Sequence, residues 1–336
     1  MTYIKLQPSD SVVDSEKIVT PSWSNNSSVL TNFYTPNISD NGFYIDVYKE
    51  SLSINPLADI QFSLSYANLS GSGNLSGSSF QTSDNTKFTK INYGTFRQKI
   101  LNSETEYFNF GSDVASNDIY VISLSRSSYK ESIKGGFNLK LKSGSNILSL
   151  TDDSNTDIVN NYIGSTRYYN IISGSNGLLA SGSSIINTTA GTYGMVLPDL
   201  GLIVLNPSAL ALPFVSKGIG LTTLSNPSNI SQRNEMGLLG LIQAGQYFEA
   251  YAEETVTSKY YYCRASNSDC NYTNNPSFID GNGNIFTQSL IDSPTTFIST
   301  VGLYNDKHEL VAVAKVSKPI KKQFTLETLL RVKLSW

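Results

Sequence analysis

Residues 301–316 read VGLYNDKHELVAVAKV, two apolar runs on either side of the polar segment Asn305-Asp306-Lys307-His308-Glu309. Val, Leu and Tyr suit the half-buried surface of a pleated sheet, whereas Asn and Asp bend the backbone through hydrogen bonds from their own side chains. The stretch predicts a β-hairpin. Working outward, residues 296–304 and 328–334 carry the same strand-like character, and 259–264 adds a Tyr-rich strand before them. Short strands joined by short turns favour antiparallel pairing.

The rest of the chain fits that reading. Strands are expected at 42–49 (GFYIDVYK), 60–66 (IQFSLSY), 118–126 (DIYVISLSR), 136–141 (GFNLKL), 167–172 and 201–205 (GLIVL). The last is wholly apolar, which predicts a buried strand, and Asn206-Pro207 ends it. The short connection 127–134 predicts that 118–126 and 136–141 lie antiparallel to each other. Two helices are expected. One covers 86–101, with Phe88, Ile91, Phe96 and Ile100 at helical spacing and Asp84 placed to cap it. The other covers 234–254, with Met236, Leu239, Ile242 and Phe248 on one side; Gly240 and Gly245 either weaken it or let a neighbouring backbone approach. The segment 68–79 (NLSGSGNLSGSS) reads as a flexible surface loop. The fold class is therefore α+β, mainly β: antiparallel sheets with long Ser/Asn/Gly-rich loops and one or two helices. The candidate regions are 1–110, 111–232 and 233–336, or one continuous fold.

Composition narrows the function. The chain has 336 residues, long enough to bury a core without metal or disulfide staples. Only 15% are charged against about 25% in an average globular domain, yet aromatics reach 11% and the net charge is -3. Low net charge and many aromatics separate it from disordered chains. A surface made soluble by hydroxyls and amides costs little to desolvate, which suits a subunit that buries itself against neighbours. The acidic balance argues against a nucleic-acid partner. Lys315, Lys318, Lys321 and Lys322 read as a solvated strand end rather than a phosphate site. No apolar run follows Lys5, so neither a signal peptide nor a membrane anchor is expected, and Cys263 and Cys270 are expected to stay reduced in a cytoplasm, a short-loop disulfide being the alternative.

Chemistry finds little to stand on. His308, the single histidine, falls in the hairpin turn among Asp306, Lys307 and Glu309 and reads as a solvent-facing turn residue. A zinc site would have to combine it with Cys263, Cys270 and a carboxylate from distant segments. Residues 280–284 (DGNGN) open like a calcium loop, but Ile285 and Ile291 stand where such a loop needs Gly and Glu, so a tight Gly-rich turn is expected. No phosphate-binding GxxxxGK[ST] occurs. The carboxylate pairs Asp152-Asp153, Glu104 with Glu106, and Glu253-Glu254 are expected to be solvated surface rather than an acid/base pair for glycan hydrolysis. No cofactor, metal or catalytic residue is expected, and the chain is read as non-enzymatic.

Several blocks resemble one family. Residues 300–306 (TVGLYND) and 309–320 (ELVAVAKVSKPI) are similar to a segment of structural proteins from marine and related tailed phages. So are 3–10 (YIKLQPSD), 119–124 (IYVISL), 129–134 (YKESIK), 260–264 (YYYCR) and 271–276 (NYTNNP), in the same order along the chain. The resemblance implies a virion structural protein of the tail or baseplate region of contractile, T4-like phages, assembled in the host cytoplasm beside other virion proteins and copies of itself. It brings no catalytic residues with it. Its alternatives are a neck or head-tail connector protein and, from a different class, a receptor- or glycan-binding module on the particle exterior. Tyr is bulky and loses little entropy on burial, so Tyr260, Tyr261, Tyr262, Tyr304 and Trp336 are the candidate interface anchors, with Tyr168 and Tyr169 considered beside them; filling the chain's own core is the competing role.

Overall fold

The structure, a computed structural model, describes residues 4–36, 43–75, 87–111, 115–156, 161–183, 190–272 and 275–335. In chain order the first strands are β1 (Ser11–Pro21), β2 (Val29–Leu30), β3 (Ile45–Tyr48), β4 (Ile60–Asn68), β5 (Asp118–Leu124), β6 (Ser132–Ile133), β7 (Asn138–Ser143), β8 (Asn146–Asp152) and β9 (Asn161–Ile163). There follow β10 (Thr166–Ser175), β11 (Leu178–Leu179), β12 (Gly194–Leu197), β13 (Leu202–Leu205), β14 (Phe248–Glu249), β15 (Tyr251–Ala265), β16 (Thr296–Tyr304), β17 (Leu310–Lys322) and β18 (Thr328–Ser335). The helices are α1 (Phe88–Leu101), α2 (Arg126–Tyr129), α3 (Pro207–Ala211), α4 (Asn234–Gly245) and α5 (Gln288–Asp292). The protein is mainly β, with antiparallel sheets and a minority of helix.

The chain divides into two compact units, Ile18–Glu254 and a smaller one made of Met1–Lys17 with Thr255–Trp336. Sheet pairing explains why the division is not consecutive: β1 lies beside β15 although more than two hundred residues separate them. The three sequential regions 1–110, 111–232 and 233–336 do not coincide with these units.

The larger unit is built on a curled antiparallel sheet in the order β2-β14-β7-β8-β10-β12-β13-β5-β4-β3. Alternation sorts its side chains into two cores. Phe62, Leu64, Tyr120, Ile122, Ile203 and Leu205 point to one face, where Leu238, Leu239 and Ile242 of α4 cover them. Ile119, Val121, Leu202 and Val204 point to the other, against Tyr93 and Ile100 of α1. Strand β13 is therefore apolar at every position because both its faces are covered. Trp23 joins the sheet's ends, donating its Nε1–H to the Phe248 carbonyl at 2.9 Å with the two rings 4.8 Å apart.

Three expectations need correction. The segment 234–254 is not one helix: α4 stops at Gly245, Gln246 turns the backbone with φ of 50°, and Phe248 enters the core from strand β14. A Cβ on Gly245 would collide with the Lys140 carbonyl, so close approach of β7 sets that glycine. In α1 the expected Ile100 is buried and Phe96 packs partly buried against the core, but Thr89, Asn92 and Tyr93 are buried in place of Phe88 and Ile91, the Asn92 side chain turning inward to donate to the carbonyls of Phe43 and Tyr66. The proposed cap Asp84 lies outside the described residues, as does most of the 68–79 loop's second half. Finally, β5 does not pair with β7. Its partners are β4 and β13, since α2 and β6 fill the connection and the apolar β13 takes the place beside it.

Candidate interaction surface

In the smaller unit β1, β15 and β18 form one sheet and β16 with β17 a separate two-stranded ribbon. The ribbon is the hairpin expected from residues 296–316, with β17 running on to Lys322. Its turn is built by Asn305, whose Oδ1 accepts the amides of Lys307 at 3.0 Å and Glu309 at 2.9 Å. His308 completes it with φ of 61° and is exposed. Gly302 faces Val313, and the Tyr304 ring and Leu310 lie over the place where a glycine leaves no side chain. Between the pairs Ile298 with Ile320 and Thr300 with Lys315 the register slips, so residues 316–319 bulge out of the ladder. Pro319 sits there, where the missing N–H is harmless.

Lys322, expected to belong to a solvated strand end, is instead fully buried and holds the base of the ribbon, in a unit with little core. Its ammonium donates to the carbonyls of Asn267 at 3.2 Å and Gln323 at 3.0 Å and to Asn271 Oδ1 at 3.2 Å, which satisfies the three donors a lysine brings. The Thr296 hydroxyl donates to the Cys270 carbonyl, and Gln323 Nε2 to Thr295 Oγ1 at 3.0 Å. The loop is ordered by Asx turns. Ser266 donates to Asp269 through its hydroxyl and amide, and the amides of Asn284 and Asn282 donate to Asp280, holding both carboxyls below the usual range. The 280–284 segment is thus a tight Asp-capped turn, as expected.

Above this base much of the ribbon's apolar surface is exposed. Among the described residues of the smaller unit only Ala265, Leu330 and Val332 are buried apolar side chains. Phe297 is 62% exposed, Val311 66% and Val313 59%, and on β1 Val12 and Val13 are exposed too. Sequence reasoning did not single out these residues. Their signal was present in the alternation, which shows that a strand has an apolar face but not whether the chain covers it.

The expected anchors fall in different places. Tyr260, Tyr261 and Tyr262 lie half-buried on the central strand β15, opposite Lys333, Val332 and Arg331. Tyr261 pairs with the buried Val332 and has the Lys259 ammonium 5.1 Å from its ring. Tyr260 takes the other face, with Arg331 5.3 Å and Lys333 5.6 Å from its ring, the distance of a cation–π contact. Tyr304 is on the separate ribbon, 41% exposed, and Trp336 lies outside the described residues. Of the second pair, Tyr168 packs against the core of the larger unit.

The carboxylate pair Asp152-Asp153 is a correction of another kind. Both are buried, at 1% and 3% exposure, rather than solvated. Asp152 accepts the amides of Gly136 at 2.7 Å, Phe137 at 3.3 Å and Ser154 at 3.0 Å, and Asp153 accepts Asn170 through its amide and side chain at 3.0 and 2.8 Å. Such saturated carboxylates fasten turns to the sheet. Burial pushes the Asp153 carboxyl up. It does the same to Glu235, which pairs with Arg233 inside the core, and to Asp118, which accepts the Tyr66 hydroxyl at 2.9 Å. Cys263 and Cys270 are not bridged, and burial raises the Cys263 thiol.

Among the described residues no group of three or more His, Cys, Asp and Glu is placed to hold a metal ion, and no helix is long and apolar enough to cross a membrane. A concavity of about 390 Å³ on the larger unit is lined by Asn138, Lys140, Asn176, Tyr247 and Glu249 among others. Its polar groups are already spent on one another: Glu249 Oε2 accepts Asn138 at 2.8 Å and the Tyr247 hydroxyl at 2.9 Å, and Lys140 covers the Tyr247 ring at 4.5 Å. No family model, curated protein or solved structure matches this chain.

Proposed function

We propose that this protein is a non-enzymatic structural subunit of a tailed-phage virion, placed in the tail or baseplate region and working through protein–protein contacts made by its ribbon and flanking strands. The observation that carries the assembly reading is the contrast within the smaller unit: long, regular strands with exposed apolar residues and almost no core of their own. An isolated two-stranded hairpin is marginal in water and gains stability from further strands or a packing partner. Open strand edges add directional backbone hydrogen bonds to such a contact. The placement in a virion rests on the sequence blocks that resemble phage structural proteins.

Receptor or glycan binding has less to rest on. Sugar sites combine an exposed aromatic platform with unspent polar groups, whereas the Tyr247 concavity offers a ring already covered by a lysine and a carboxylate already satisfied. The reading is tested by cryo-electron microscopy of the particle that carries this chain. Copies fixed between tail or baseplate proteins, with residues 296–322 in contact with a neighbour, are expected. Density in the neck would relocate the subunit, and a peripheral chain with a free ribbon would overturn the proposal.

A further inference from the structure

The two edges of the ribbon differ in a way that names its partner. Strand β17 carries Lys315, Lys318 and Lys321, all exposed, together with Pro319 and the bulged residues 316–319. Lysines, proline and bulges are the devices that keep an edge strand from pairing with another chain. Strand β16, nine residues reading TFISTVGLY, has none of them: no charge, no proline, and among the described residues no hydrogen-bonded strand other than β17. One edge is guarded along its length and the other is left open.

We infer that β16 pairs antiparallel with β16 of a second copy, making a two-fold four-stranded sheet in the order β17-β16-β16-β17. This deepens the assembly reading and rests on it. A two-fold contact needs a self-complementary surface, and an uncharged strand meets its own image without repulsion, which a strand bearing three exposed lysines does not. Centring the nine residues on the axis sets Thr300 against Thr300 and Phe297 against Leu303 twice, so the exposed Phe297 gains an apolar neighbour. Both lysine-bearing strands then fall on the outer edges. The sheet is closed to further strands, and the contact stops at two copies rather than running on as a fibre.

Thr300→Glu separates this from a general loss of folding. In its own ribbon residue 300 lies across from Lys315, so the new carboxylate has a cation beside it and the hairpin is kept; at the two-fold axis it meets a second carboxylate. Sedimentation of the full chain over a range of concentrations is expected to give a dimer whose dissociation changes little with salt, weakened about tenfold or more by Thr300→Glu. Lys315→Thr, on the outer edge, is expected to leave the dimer unchanged. A dimer untouched by Thr300→Glu overturns the inference, and so does one dissolved by salt and by Lys315→Thr, which would mean that the lysines of β17 meet an acidic surface of the second copy. A wild-type chain that stays monomeric at every concentration overturns it too, and leaves the assembly reading to be decided in the particle.

Discussion

Strands β13 and β16 are alike as sequences: LIVL and TFISTVGLY contain no charged residue, and both predict a sheet. In the larger unit β13 has neighbours on both edges, and its side chains alternate between two cores covered by α1 and α4. In the smaller unit β16 has, among the described residues, one strand neighbour, and it carries exposed residues on both faces. On the assembly reading proposed above, the same lack of charge is satisfied inside the chain in one case and left for another molecule in the other. An uncharged strand alone does not tell whether the chain itself covers it; the fold does.

The sharpest way to break the comparison is to truncate matched apolar residues. Phe248→Ala removes a ring in contact with Trp23, Phe62 and Phe137, and is expected to cost about 3–5 kcal/mol in denaturant unfolding. Phe297→Ala on the ribbon, where the ring is 62% exposed, should stay within about 0.5 kcal/mol in the dilute chain. Equal costs would show that the ribbon has a core of its own. Next in size, Asn206 is buried with its amide nitrogen donating to the carbonyls of Ala190 and Thr192 and its oxygen capping α3 at the Ser208 amide. Asn206→Ala leaves those groups unpaired and should lower the stability of the larger unit by roughly 2–3 kcal/mol. Lys322→Met is expected to act locally, reducing hydrogen-exchange protection across the ribbon base by about 1 kcal/mol while the larger unit's unfolding midpoint stays put.

The units should also answer pH in opposite directions. Asp118, Asp153 and Glu235 have carboxyls raised by burial, so the native larger unit holds protons that the unfolded chain has released; their contribution to stability is full at low pH and is lost as pH rises from about 4. Asp269 and Asp280 have depressed carboxyls, so what they add to the loop is present above the unfolded value and disappears as pH falls through the native one. Amide exchange at Asn282 and Asn284, corrected for its intrinsic pH dependence, should lose protection on acidification, whereas substituting Asp118 by Asn should flatten the larger unit's decline toward neutral pH. Matching pH profiles in both units would contradict this division.

Much of the fold was legible in the residues. The hairpin was readable because turn chemistry and alternation agree at Asn305 and along 296–316, and β13 because four apolar residues in a row have no other home. What was not legible depends on pairing over distance. Gly245 could be read either as a weak point in a helix or as a place for a neighbouring backbone, and the Lys140 carbonyl against it decides for the second. Asp152 and Asp153 looked like surface because the amides they accept come from residues 15 and 17 positions away. The tyrosines were visible as a cluster, but the register that sets Tyr261 opposite Val332 and Tyr260 opposite Lys333 comes from β18. The candidate surface itself was half legible: Tyr304 marked the ribbon, while Phe297, Val311 and Val313 were indistinguishable from core.

Hydrogen exchange of the full chain, compared between dilute solution and the assembled state, tests the ribbon's role most directly. The account predicts that amides of β16 and β17 exchange much faster than those of β4, β5 and β13 in the dilute chain and become protected on assembly. Ribbon amides as protected in the dilute monomer as those of β5 and β13, and unchanged on assembly, would contradict it.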